Sequence, residues 1–327
     1  MNTKATAIAP SNIAFIKYWG KKDEILRLPE NGSISMNLSN LTTTTTVEFS
    51  SKFSKDSIRY NGAFQKTENN RAIEHINRIR KIAKVKTKVK IVTENNFPGG
   101  TGLSSSASGF AALTLAGVEA LGLKLSEKEL SILARQGSGS SCRSIPDGIS
   151  EWLDGNDSQS SYARSIFPKD YWDIVDVVAI VSTEVKDVAT SEGQKGARQS
   201  QFFKVRLESM AKKIKECKKL LAKKDFVSFG ELLESEALEL HSIMLTSHPS
   251  LIYLLPETLK IMKLVKKWRS EGLEVYFTLN TGQNIHLIAQ KKDEEKVINK
   301  LKKLPFVLKI IPNDPADGAR IVDRHLF

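Results

Sequence analysis

The residues from Glu94 to Ala112 read E-N-N-F-P-G-G-T-G-L-S-S-S-A-S-G-F-A-A. A Pro-Gly-Gly-Thr-Gly turn runs directly into three serines and then into an alanine- and leucine-rich segment of helical composition. Unpaired backbone N–H groups and small hydroxyls at the start of a helix converge on one point, and that point favours an anion. A glycine turn that merely caps a core helix would carry the same residues. Two further polar, glycine-punctuated segments, Ser11 to Asp23 and Gly137 to Asp147, tip the reading toward a charged ligand.

Upstream, Val85 to Val92 alternates apolar residues with lysine as a half-exposed strand does. Strand, glycine loop, helix is the order in which α/β proteins hold phosphates at helix N-termini. No Gly-Lys-Ser/Thr follows the loop and the spacing is not G-x-G-x-x-G, so neither the P-loop nor the dinucleotide fingerprint applies.

Working outward, residues 4 to 16 read as a strand, a Pro10-Ser11-Asn12 turn and a second strand. Lys17-Tyr18-Trp19-Gly20-Lys21 then offers either a charged sheet edge or a phosphate clamp. Asn31 to Leu38 and Thr42 to Phe49 read as two β-segments, and Asn70 to Ala83 has helical apolar spacing. Ser126 to Glu129 looks like the cap of a helix ending near Arg135. In Gly137 to Ser144, serines and glycines surround Arg143, whose planar fork suits a carboxylate or phosphate; a flexible loop with a surface ion pair is the alternative.

Ile174 to Val181 is an apolar run fit for a buried strand, and composition changes after it. Thr183 to Gln201 is polar, with Lys186, Lys195 and Arg198 as anion contacts if the loop borders a site. Two helices follow between Leu207 and Leu245, broken at Asp225, and another spans Leu254 to Ser270. Val275 to Leu279, a turn at Asn280 to Asn284, and Ile285 to Ala289 form a strand, turn, strand unit. A last helix and a short β-segment near Val307 to Ile311 close the chain.

With 327 residues, 40% of them hydrophobic, the chain has material for two globular domains. No apolar run approaches the roughly 20 residues of a membrane span, and the first ten residues lack a signal-peptide layout, so a cytoplasmic protein is expected. Cys142 and Cys217 are too few and too far apart for a disulfide framework or a structural zinc site. The net charge of +12 suggests an anionic partner, but its lysines cluster in helix-like stretches that read as solvated faces. No zinc-finger, RNP or basic-zipper pattern accompanies them, which argues against nucleic acid.

Three segments, Asn12 to Lys21, Asn96 to Ala107 and Gly137 to Ser144, resemble in order the motifs of diphosphomevalonate decarboxylases, members of the GHMP kinase superfamily. The similarity continues through Tyr276 to Asn284. It implies a two-domain α+β GHMP kinase fold: a ribosomal-protein-S5-like N-terminal domain (1–182), a ferredoxin-like C-terminal domain (183–327), and a homodimer. The implied reaction uses ATP and Mg2+ to phosphorylate the 3-hydroxyl of mevalonate 5-diphosphate. Loss of that phosphate with CO2 then gives isopentenyl diphosphate.

By the same resemblance, Gly100, Gly102, Leu103, Ser104, Ser105 and Ser106 hold the ATP phosphates, with Ser106 near Mg2+. Arg143, with Ser138 and Ser140, orients the substrate carboxylate; Tyr18, Lys21 and Arg198 grip the 5-diphosphate; and Lys17 stands near the reacting centre. The chain departs from the pattern at Asn280, where the family has an aspartate that contacts the 3-hydroxyl. An amide orients a hydroxyl but does not take its proton. Asp147, brought in by a second departure at Ser144 to Gly148, or another nearby acid is expected to compensate in part. Decarboxylation of the 5-monophosphate, a 3-kinase without decarboxylation, and an idle ligand-binding homologue remain open alternatives.

Overall fold

Lys4–Ile16 forms one strand, β1, where the sequence suggests two. Proline cannot donate to a sheet ladder, and the chain absorbs Pro10 with a register shift between Pro10 and Asn12 instead of a break. After the short hairpin of β2 (Lys21–Asp23) and β3 (Leu28–Pro29), the two expected β-segments likewise merge into β4, Ser33–Ser50. Its threonines stitch both flanks, with hydroxyl pairs at 2.7 Å between Thr6 and Thr46 and between Thr45 and Thr93. The structure is a computed structural model that describes residues 3–327. Met1 and Asn2, part of the stretch read for a leader, lie outside the described residues.

β5 (Ser57–Tyr60), β6 (Ala63–Gln65), β7 (Lys88–Asn95), β8 (Ile149–Trp152) and β9 (Ala163–Phe167) extend this pair into the first sheet. Three helices cover it. In α1 (Arg71–Ala83), Asn70 caps by accepting from the Ala72 N–H at 2.9 Å. α2 (Ser105–Ala120) leaves the glycine loop, and α3 (Glu127–Gly137) opens on the capping box of Ser126 and Glu129. A 3-10 turn, Gly139–Ser144, carries the chain from α3 toward β8.

The second sheet has the order β11-β12-β10-β13, with β10 at Ile174–Ile180, β11 at Val275–Thr278, β12 at Ile285–Gln290 and β13 at Lys309–Asn313. β10 pairs with β12 and β13, and every residue in it is buried. A continuous apolar run announces a strand covered on both faces, but it does not announce which sheet the strand joins. α5 (Phe203–Lys223) and α6 (Phe226–Leu245) are separated by a left-handed Lys224 and by Asp225, which caps α6 through the Ser228 N–H. Around them lie the short α4 (Thr190–Gly193), α7 (Pro256–Ser270) and α8 (Glu294–Lys302).

The last strand, β14 (Arg320–Val322), returns to β1 of the first sheet. One core cluster joins Phe15, Ile34 and Met36 to Val178, Phe229 and Tyr276, so the two sheets share their packing. Burial of such side chains contributes about 1.5–3 kcal/mol each. Among the described residues no helix is long and apolar enough to cross a membrane.

Candidate active site

The glycine loop turns through two left-handed glycines, Gly100 (φ +76°) and Gly102 (φ +92°), and then through Ser104, a non-glycine residue at φ +57°. Ser104 makes no side-chain cap, and the first turn of α2 holds no acid, so the helix start faces an open cavity with its positive end uncovered. Gly100, Gly102, Ser104, Ser105 and Ser106 all line that cavity. Leu103 does not. Its side chain is buried in the core and its carbonyl accepts from the Ser11 hydroxyl, which anchors the loop.

The cavity has a volume of about 250 Å³ and lies between β1, α2, the 3-10 turn and the loop after β10. Five cations line it, Lys17, Arg27, Arg71, Arg143 and Lys186, and no aspartate or glutamate does. An anionic ligand therefore meets unopposed positive charge.

Arg143 is 3% exposed. Its Nε donates to Ser35 Oγ at 2.9 Å, Nη1 to Ser33 Oγ at 2.6 Å and Nη2 to Asn12 Oδ1 at 3.2 Å. Each of these partners is neutral. Burial lowers the guanidinium's pKa from its ordinary value, and among the described residues no carboxylate pairs with it. A buried, hydrogen-bonded guanidinium without a counter-ion is a site for one supplied by a ligand. Ser138 and Ser140, also expected here, line the same wall, and Ser138 Oγ lies 3.3 Å from Ser106 Oγ.

Lys17 is fully buried at the end of β1. Its Nζ donates to Ala14 O and, at 2.7 Å, to Thr278 Oγ1. Its backbone is clamped as well: the N–H donates to Glu236 at 3.0 Å, and the carbonyl accepts from Asn31 and Arg206 at 2.9 Å. Desolvation lowers Lys17 to about 7, against the pull of Glu236 and with the push of Arg143 and Arg206. The Glu236 carboxylate is itself engaged by Arg206 and Lys213.

Asn280 lines the cavity opposite the serines. Its Nδ2 donates to Ser104 Oγ at 2.9 Å and Asn12 O at 3.1 Å, while its Oδ1 accepts from Ala14 N at 3.3 Å. The amide thus ties β1 to the glycine loop. Behind it, His241 bonds the Asn280 carbonyl at 3.1 Å; burial lowers that imidazole to about 4, so it is neutral and donates from Nε2.

Three expectations change. Lys21 and Arg198 lie outside the cavity lining, paired with Glu24 and Glu30 respectively. Asp147 is exposed, accepts from the Gly318 N–H at 2.6 Å and does not line the cavity. Tyr18 does line the cavity, with its hydroxyl 2.6 Å from Gln194 Oε1. Two further cations that the sequence analysis does not single out, Arg27 and Arg71, line the cavity. Arg71 had a signal: it is the first residue of α1, where the helix dipole disfavours a cation. Lys186 borders the site as expected, and its Nζ donates to Thr190 Oγ1 and to Thr281 O and Oγ1. Lys195 is exposed and paired with Glu192.

A second cavity of about 240 Å³ opens on the other side of the helix start. It is lined by Ile58, Tyr60, Ala72, Ile91, Phe110 and Leu113 among others, and it shares Ser105 and Ser106 with the first. An apolar compartment and a cationic one therefore meet at two serines.

A helix N-terminus between these compartments, on a two-domain α+β scaffold, defines a phosphate-handling protein of the GHMP kinase type. The chain belongs to the diphosphomevalonate decarboxylase family. Residues 9–163 match the diphosphomevalonate decarboxylase-like N-terminal domain, and residues 176–312 match the mevalonate 5-diphosphate decarboxylase C-terminal domain. A diphosphomevalonate decarboxylase of Candida albicans is 36% identical over 91% of this chain and 88% of its own. The crystal structure of mevalonate diphosphate decarboxylase from Staphylococcus aureus is similar with a TM-score of 0.92 and 35% identity, covering 98% of both chains. A relative solved in complex with MVAPP, AMPPCP and magnesium has a TM-score of 0.92 and 34% identity, covering 98% of this chain and 99% of its own.

Proposed function

We propose that this protein is an ATP-dependent decarboxylase of mevalonate 5-diphosphate, producing isopentenyl diphosphate, ADP, phosphate and CO2. The observation that carries the reading is the cavity wall of five cations without a carboxylate, centred on the unpaired Arg143. A substrate with a carboxylate at one end and phosphates at the other matches that wall. Arg143 takes the carboxylate, with Ser138 and Ser140 beside it. Arg27 and Arg71 take the 5-diphosphate, and two guanidinium groups suit two phosphates better than one.

The start of α2 receives the ATP phosphates through Gly100, Gly102 and Ser104 to Ser106, and the apolar cavity receives the nucleoside. For Mg2+, a hard ion that keeps several waters and shares phosphate oxygens, the cavity offers serine hydroxyls, among them Ser106, which lines both compartments. Bound there, the ion would supply neutralisation of phosphate charge during transfer. The chain's own groups do the rest: Asn280 orients the 3-hydroxyl, Arg143 fixes the carboxylate, and the buried wall excludes water. Loss of a carboxylate base costs ~10²–10⁴-fold where it operates, yet a largely dissociative transfer needs little deprotonation of the nucleophile.

The finer fold assignments belong to the same reading: an S5-like first domain, and a ferredoxin-like second domain that starts before Ile174 and is built on the four-stranded antiparallel sheet. So does the homodimer, which sedimentation velocity reads directly. A cytoplasmic setting fits two buried cysteines that remain free thiols.

The test is incubation of the purified protein with ATP, Mg2+ and, in turn, mevalonate, its 5-phosphate and its 5-diphosphate, with products identified by mass. Isopentenyl diphosphate from the diphosphate alone is expected. Isopentenyl phosphate from the monophosphate, or a 3-phosphorylated product that accumulates intact, would replace this reading with one of its relatives.

A further inference from the structure

Transfer of a phosphoryl group to an alcohol releases a proton, and the cavity that receives the alcohol has no carboxylate to take it. Asn280 is excluded by chemistry and by its bonds, since both atoms of its amide are engaged with β1 and the glycine loop. The guanidinium groups of Arg27, Arg71 and Arg143 do not deprotonate at neutral pH. Burial lowers Lys186 less than Lys17, to about 8, and its Nζ is occupied by Thr190 Oγ1 and by Thr281 O and Oγ1.

Lys17 is different. Its Nζ has two acceptors, Ala14 O and Thr278 Oγ1, and no carboxylate partner among the described residues, and it faces the cavity with its remaining position. We propose that Lys17 acts in its neutral form as the proton acceptor for the substrate hydroxyl. This rests on the phosphotransfer reading above. Four other cations of the wall, Arg27, Arg71, Arg143 and Lys186, are available to meet the charges of the mevalonate phosphate.

The surroundings favour the neutral amine. From α6 come Glu236, tied to Arg206 and Lys213, and the neutral His241; from α5 comes Arg206; from the 3-10 turn comes Arg143; from β10 comes Asp176, held at 2.7 Å by His286 of β12. The nearest negative charges are already engaged and two guanidinium groups lie close. Burial in that setting lowers Lys17 to about 7.

The step balances. As the hydroxyl oxygen bonds to the γ-phosphorus, its O–H bond breaks and the proton moves to the Lys17 lone pair. The bond from that phosphorus to the bridging oxygen breaks, and its electron pair leaves with ADP. The new ammonium ion then faces the phosphorylated oxygen. When the carbon–oxygen bond breaks, the pair goes to phosphate, Lys17 returns the proton to it, and the bond to the departing CO2 supplies the alkene electrons.

Three measurements test the proposal: single-turnover rates from pH 5.5 to 9 for wild type and Lys17→Arg, calorimetric affinity for mevalonate 5-diphosphate, and NMR titration of lysines labelled at Cε in the ligand-free protein. The expected wild-type rate falls about tenfold per pH unit below 7 and levels off above it. Lys17→Arg, charged throughout, loses ~10²–10⁴-fold in rate and loses the acid limb, while calorimetry finds its affinity for mevalonate 5-diphosphate changed by less than about tenfold. One lysine resonance titrates near 7 and is missing in the variant. A flat wild-type profile, an arginine variant within tenfold of wild type, or a Lys17 resonance that titrates above 9 would each overturn the assignment. Should the arginine variant not fold, the wild-type titration and profile still decide. Absence of turnover with every mevalonate phosphate at every pH, beside a Lys17 titration near 7, would instead sink the phosphotransfer reading itself.

Discussion

Gly102 of the glycine loop and Gly282 of the Asn280 turn meet backbone to backbone: a Cβ built on Gly282 would lie 2.3 Å from the Gly102 Cα. This contact sets the serines of the glycine loop opposite Asn280, across the same cavity. Gly282→Ala must push the two turns apart. Overpacking of this kind costs about 1–3 kcal/mol, and a displacement near 1 Å at a reacting centre costs about 100-fold in rate. Urea melts and steady-state kinetics on one preparation check both numbers.

Arg143 predicts opposite effects on stability and activity. Its buried charge has only Ser33, Ser35 and Asn12 as partners, and an unpaired buried charge costs stability. Arg143→Met is expected to melt at or above the wild-type temperature in the ligand-free state. Its kcat/KM is expected to fall by about 30-fold to 5,000-fold, the range for losing one partner of a buried charge pair. A variant that melts lower yet keeps its activity would assign Arg143 to the scaffold.

Lys17 leaves a signature in stability against pH. Its pKa is 10.5 unfolded and about 7 folded, so between those values the unfolded chain binds the extra proton and stability rises with pH. Below about 7 both states are charged and the slope vanishes. The difference in melting temperature between wild type and Lys17→Met should therefore change in favour of wild type as pH rises from 7 to 10, and stay constant from 5 to 6.5. A difference that is constant over the whole range would mean that Lys17 titrates normally.

The apolar cavity beside Ser105 and Ser106 offers a cleaner separation. A Cβ added at Gly109 meets nothing within 4 Å, and Gly109 lies in α2 along that cavity. Gly109→Leu should add about 0.8–1 kcal/mol of helix stability while filling the nucleoside compartment. The expected kinetic result is a KM for ATP raised about tenfold or more, with the KM for the mevalonate substrate nearly unchanged.

Much of this site was legible because the chemistry sits in contiguous segments. The loop at Gly100 to Ser106, the lysine at 17 and the arginine at 143 are each announced by local composition, and all three line one cavity. Local pattern failed where distant pairing decides. Pro10 looked like a turn because the sequence does not display the partner strand that carries β1 past it. The apolar run at Ile174 joined the second sheet through strands more than a hundred residues later. The pairing of Lys21 with Glu24 and of Arg198 with Glu30 carries no mark in the sequence. Leu103 belonged to a binding motif by position, yet an apolar side chain between polar neighbours turned into the core.

The most direct test follows the carboxylate carbon. Mevalonate 5-diphosphate labelled at that carbon is mixed with excess protein, ATP and Mg2+, and released CO2 is counted against ADP in a single turnover. The account predicts one CO2 for each ADP and none when ATP is omitted. ADP formed without CO2, with the label retained in a phosphorylated acid, would contradict it.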